Sequence, residues 1–191
     1  MNTEKTEKTV LLVMDIQETM MGYLPEPGPL LNNIEKAISF ARRVGVPIVY
    51  VILAFRDGHP EIHESHQRFG PIKASKVMFT PSHEGTLVHS AIEPMPGDII
   101  VHKKRVSAFA GSDLEIILRA HKAEHLVLSG FSTNGVVLST LREAADKDYH
   151  LTVLSDACAD PDPQLHDFLV NKVFPFSGEV VTTDEWVESL N

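Results

Sequence analysis

Two charged residues close apolar runs in this 191-residue chain. Asp15 ends the first such run, in "LLVMDIQ", and Lys103 ends the third, in "DIIVHKK". A carboxylate and an ammonium brought together at adjacent strand ends would pair, tune each other's proton affinity and leave the carboxylate ready to move a proton. The plainer reading makes Asp15 a capping or loop residue and Lys103 a solvated side chain. A third stretch, "SGFSTNGVVLST" from Ser129 to Thr140, follows the apolar "HLVL" and leads into a helical pattern, so it reads as a strand-to-helix turn. Amide groups at such a turn face a pocket. An acyl-transfer enzyme would also mount a thiol or an activated hydroxyl there, and Gly135 and Val136 supply neither. Ser132 and Thr133 carry hydroxyls in the same turn, with no neighbouring base in sequence, and read as local caps. A fourth stretch, "RDGHPEIHESH", spaces Asp57, His59 and His63 as carboxylate and imidazole metal ligands can be spaced, with His83 a loosely placed fourth. A solvated loop on the substrate side is the favoured reading of that segment, so no metal and no other cofactor is expected.

These residues need a frame to hold them. The runs Thr9 to Asp15, Pro47 to Leu53, Asp98 to Lys103, His125 to Gly130, His150 to Asp156 and Gly178 to Thr183 are short, rich in β-branched residues and not alternating. That is how parallel strands covered on both faces read. Between them lie helical patterns such as Leu30 to Val44, stopped by "RRVGVP", and Ser112 to Ala120, with Ser112 as cap. Strand and helix in alternation predict a three-layer, doubly wound, Rossmann-like α/β fold. At 43% hydrophobic the chain suits a single domain over residues 1–191, with the polar start, residues 1–8, expected to be flexible.

Charge narrows the function. Twenty-six acidic against 17 basic side chains give a formal charge of −9, without a basic stripe, which argues against nucleic acid and anionic membrane as partners. No apolar run approaches the length of a membrane span, no signal segment opens the chain, and the single cysteine forms no internal disulfide, so a cytoplasmic protein is expected. Cys158, in "DACADPDP", reads as a packing residue. Phe55, Phe69 and Phe109 are expected to wall the pocket or the core, and no glycine-rich phosphate loop follows the first strand.

The segments "LLVMDIQ", "GDIIVHKKRVSAFAGSDLEIILRA", "LVLSGFSTNGVVLSTLREAADKDY" and "DACADPDPQLHD" resemble, in order and spacing, the isochorismatase-like hydrolases of the cysteine hydrolase superfamily. The likeness runs from about residue 9 to residue 185. It implies a six-stranded parallel sheet, homodimers or larger assemblies in which a neighbour often closes the pocket, and an Asp, Lys, Cys triad. By that resemblance Asp15 and Lys103 are the catalytic Asp and Lys, Lys104 is a solvated neighbour, and Val136 occupies the nucleophile position. Gln17, Phe109, Thr133, Asn134 and Gly135 are then expected around the substrate. Relatives often carry a cis peptide just before the cysteine, which would fall at Gly135. The expected function is hydrolysis of a small molecule, at an amide-type C–N bond or a vinyl ether, by proton transfer from or to Asp15, with the amides of Gly135 and Val136 holding an oxygen. The alternative is a non-catalytic small-molecule binder or oligomeric partner that keeps the pocket. Val77 to Phe79, "VFPF" and "DEWV" are expected at the subunit interface.

Overall fold

The computed structural model describes residues 8–190. Six parallel strands form one sheet: β1 Thr9–Met14, β2 Ile48–Leu53, β3 Ile99–Lys103, β4 His125–Phe131, β5 His150–Ala159 and β6 Glu179–Val181. Their order is β3-β2-β1-β4-β5-β6, so the chain reverses its direction of winding between β1 and β4. In a doubly wound sheet the crevice beyond the strand ends at that reversal is the natural place for a ligand.

The continuous apolar character of the inner strands β1, β2 and β4 follows from burial on both faces, whereas the edge strands β3 and β6 are partly exposed. Along β1, Val10, Leu12 and Met14 pack into one buried layer, whereas Leu11 and Val13 pack into the other. The second layer is covered by helix α2, Gly28–Val44, which follows the short α1, Glu18–Met21. α2 buries Leu30, Leu31, Ile34, Ala37, Ile38, Phe40 and Ala41 along one face. It starts two residues earlier than the apolar pattern suggests, because Pro29 supplies a preset φ in the first turn. Gly45 ends it at φ 77°, a left-handed cap that glycine adopts without strain. The first layer is covered by α4, Leu114–Ala120, and α5, Leu138–Ala145. Ser112 does not stand at the cap position of α4, which Asp113 occupies, although its hydroxyl accepts from Leu114 N at 3.3 Å. The remaining helices are α3, Gly70–Ser75, α6, Pro163–Phe168, and α7, Thr183–Ser189.

A smaller apolar cluster of Leu53, Phe55, Ile62, Phe69 and Phe79 sits under the long connection from β2 to β3. Phe79, Phe174 and Trp186, expected at an interface, are buried inside the chain's own core; Val77 and Phe176 are exposed. The flexibility expected for residues 1–8 concerns residues outside those described, save Lys8, whose exposed ammonium lies 2.7 Å from Glu124. Among the described residues no helix is long and apolar enough to cross a membrane.

Candidate active site

Asp15 follows β1 with φ 56°, a left-handed conformation that aspartate adopts more readily than most non-glycine residues and that turns the chain away from the strand. Its backbone NH still donates to Val51 O at 2.8 Å, which ties the residue to the end of β2. The carboxylate is buried, and its Oδ2 lies 2.8 Å from Lys103 Nζ. Its Oδ1 has no hydrogen-bond partner among the described residues. Lys103 is itself 2% exposed, too deep to serve as a solvated side chain, and donates to the carbonyls of Arg105 and Val106 at 2.9 and 3.1 Å. The two charges are therefore paired, but not at adjacent strand ends. β2 lies between β1 and β3, and the lysine spans it.

Burial pushes the Asp15 carboxyl above the ordinary carboxylate range, and the Lys103 and Arg68 cations oppose that rise without cancelling it. Lys104 is not merely solvated, since its ammonium donates to Ala54 O and burial lowers its proton affinity.

The pair faces a cavity of about 390 Å³. Leu53, Phe69, Ile72, Met78, Phe79 and Phe131 form its apolar wall; Arg68, Ser132 and Val136 join Asp15 and Lys103 on it. Val136 thus shares one cavity with the acid and the lysine. The turn that carries it, Thr133–Val137, is a single π-helical turn between β4 and α5. Such turns are frequent at functional sites. The cis peptide is at Phe131–Ser132, four residues ahead of the position the family likeness suggested.

The other expected substrate contacts divide. Gln17 is fully buried and turned away from the cavity: its Nε2 donates to Leu53 O and Thr86 O, and its Oε1 accepts from Leu53 N. It clamps β2 to the following loop. Phe109 also stays in the core, stacked on Tyr149 with Lys147 over its ring. Thr133 is buried with its hydroxyl 2.8 Å from His166 Nδ1, and Asn134 is held by both carboxylate oxygens of Asp160. These bonds brace the turn from behind. The Gly135 amide donates to Ser132 O at 3.0 Å, so its hydrogen is engaged within the turn.

The histidine segment does not gather. His59 is buried, with Nε2 2.8 Å from Met78 O, while Asp57 and His63 lie on the surface and His63 Nδ1 bonds Ser65. Among the described residues no group of three or more His, Cys, Asp or Glu is placed to hold a metal ion. Cys158 is buried beside Gly130, outside the cavity, and burial pushes its thiol up to about 12, which makes it a poor nucleophile. Nothing in the sequence around it singles out Arg68, one cation in "HESHQRFG", and Ser132, which reads as a local cap, stands at the cap position of the turn without a side-chain capping bond and lines the cavity instead.

The Isochorismatase domain model matches residues 9–185. The chain is 32% identical to the ureidoacrylate amidohydrolase RutB of Variovorax paradoxus, over 95% of this chain and 81% of the relative. It is 31% identical to the protein of that name from Pseudomonas savastanoi pv. phaseolicola, over 98% and 85%. Among solved structures, a cysteine hydrolase from Pseudomonas syringae pv. phaseolicola superimposes with a TM-score of 0.87 at 22% identity, covering 98% of this chain and 93% of the other. The N-carbamoylsarcosine amidase of Thermoplasma acidophilum does so with 0.75 at 28% identity, covering 93% and 97%. With the parallel sheet, the cavity at its winding reversal and the family match over nearly the whole chain, this protein belongs to the isochorismatase family of hydrolases.

Proposed function

We propose that the chain hydrolyses a C–N bond in a small amide or carbamoyl compound with Asp15 as the proton carrier and no covalent enzyme intermediate. The observation that carries this reading is Asp15 itself, whose Oδ2 is held by Lys103 while its buried Oδ1 has no hydrogen-bond partner among the described residues, on the wall of a cavity shared with Val136. A carboxyl raised by burial is a stronger base than a solvated one, and a positioned base contributes typically 10²–10⁴-fold.

In this scheme Asp15 takes a proton from water as the water oxygen bonds to the carbonyl carbon. The tetrahedral adduct collapses with cleavage of C–N, and Asp15 returns the same proton to the departing nitrogen. Acid and amine leave, and the carboxylate is regenerated. The relatives named as amidohydrolase and amidase support the bond type. Vinyl-ether hydrolysis is the second chemistry open to Asp15; there the raised carboxyl acts first as an acid. The rival reading, a pocket kept for binding alone, has Val136 in its favour. Against it stands the retained buried ion pair, which is costly to hold without a use.

Turnover on a panel of small amides, carbamoyl compounds and vinyl ethers tests the proposal. Hydrolysis without a burst phase, and with no mass adduct on the protein during turnover, is the expected result. Val136→Cys should introduce both. Binding without turnover of any compound would establish the binder instead.

A further inference from the structure

The cavity has a second charged corner, opposite in role to the first. Lys103 is committed to Asp15 and two carbonyls, whereas Arg68 lines the same space and has no carboxylate partner among the described residues. Arg42, Arg56 and Arg119 each pair with an acid; Arg68 is turned to the cavity.

Gly135 explains how it gets there. A Cβ on Gly135 would stand 2.6 Å from Ser132 Oγ, closer than Cβ atoms come to a neighbour, and 3.0 Å from Arg68 Nη2, a tight contact that would push the guanidinium back by a few tenths of an ångström. No left-handed φ is involved, since Gly135 is not among the glycines with positive φ. What the position needs is empty space, and a guanidinium and a hydroxyl fill it from two sides. Both are hydrogen-bond donors, they converge over the turn that carries Val136, and Phe69, Phe79 and Phe131 keep the surroundings apolar. A planar guanidinium flanked by a hydroxyl matches a carboxylate in shape and in donors, and the arginine, which keeps contact with solvent, offers that match at the mouth of the cavity. In a chain of net charge −9 it also supplies the local attraction that the protein as a whole denies to an anion.

We propose that Arg68 and Ser132, seated over the side-chain-free Gly135, form a carboxylate subsite that selects small anionic substrates and aims their uncharged end at Asp15. This deepens the proposed function by naming the substrate class of the same cavity. Gly135 is a positioning residue: its lack of a side chain lets Arg68 reach in.

The test separates binding from catalysis by using ligands without a C–N bond. Calorimetric titration of the protein with 4-oxopentanoate and with its uncharged counterpart 5-hydroxypentan-2-one compares the two charge states on one skeleton. The anion should bind about 10- to 100-fold more tightly, the range expected for hydrogen bonds to a charged group. That preference should collapse in Arg68→Met and shrink in Gly135→Ala, which displaces the Ser132 hydroxyl and pushes the guanidinium back, and Arg68→Lys should keep part of it. Arg68 has an exposed side chain, so its variants leave the core intact. Equal affinity for the two ligands, a preference that survives Arg68→Met, or no saturable binding of the anion up to about 10 mM would each overturn the subsite. These outcomes hold whether or not amides are hydrolysed, so they do not depend on the catalytic scheme.

Discussion

Replacing Lys103 with Met keeps most of the stem and removes the ammonium from its 2.8 Å contact with Asp15. Two costs follow, and pH separates them. The carbonyls of Arg105 and Val106 lose their shared donor, and for these part-buried acceptors the cost is at most about 1–3 kcal/mol at any pH. Asp15 loses the cation that opposes its desolvation. An opposite charge at that range is worth about 1–3 pKa units, or about 1.4–4 kcal/mol. The sign follows from Asp15 being raised by burial in the folded protein. The native state then binds more protons than the unfolded chain between the ordinary carboxyl pKa and the raised one, so stability falls as pH climbs through that window and levels off above it. Loss of Lys103 moves the upper edge of the window to higher pH. Urea denaturation of both proteins from pH 5 to 9 reads the difference. The variant should trail the wild type at pH 5 mainly by the carbonyl cost and fall behind by up to a further about 1.4–4 kcal/mol as pH rises. In the same variant the acid limb of the pH–rate profile should move to higher pH. A stability deficit that stays constant across the range, with an unmoved limb, would show that Lys103 does not tune Asp15.

Cys158 should resist a thiol reagent such as 5,5′-dithiobis(2-nitrobenzoate) at pH 8 until the protein is unfolded, because the thiol is buried and pushed up to about 12; rapid labelling of folded protein would contradict this. Gln17→Leu should cost about 2–5 kcal/mol by stranding the amide and carbonyl of Leu53 and the carbonyl of Thr86, while leaving the pH dependence of turnover in place; a shifted pH profile would make Gln17 part of the chemistry after all. Sedimentation at micromolar concentration should give a dimer or larger through a surface that includes exposed Val77 or Phe176, and a monomer would remove the basis for a shared pocket.

The sheet is legible because burial on both faces of the inner strands leaves runs rich in β-branched residues, and all six runs are parallel strands, the partly exposed edge strands β3 and β6 included. Asp15 and Lys103 were readable for a related reason: a charge at the end of such a run has nowhere to go but the crevice or a partner. Their separation by β2 was not, since strand order is a property of long-range pairing that no local pattern encodes. Gln17 sits two residues from Asp15 in sequence, yet its amide closes on the backbone of a loop reached only after folding. Arg68 escaped notice because its meaning depends on the missing side chain of Gly135, 67 positions along the chain, and on a hydrophobic wall assembled from three separate segments. His59 looks like loop surface from its polar neighbours, but the turn at φ 51° folds its ring inward beside Phe55.

The kinetics of Asp15→Asn test the central claim most directly. Asparagine matches the carboxylate in size and retains a hydrogen-bonding oxygen, but it carries no exchangeable catalytic proton. On the best wild-type substrate kcat should fall by about 10²–10⁴, with the acid limb of the pH profile lost and KM changed far less. A variant that turns over that substrate at the wild-type rate, with the same pH limb, would show that the proton is carried by another group.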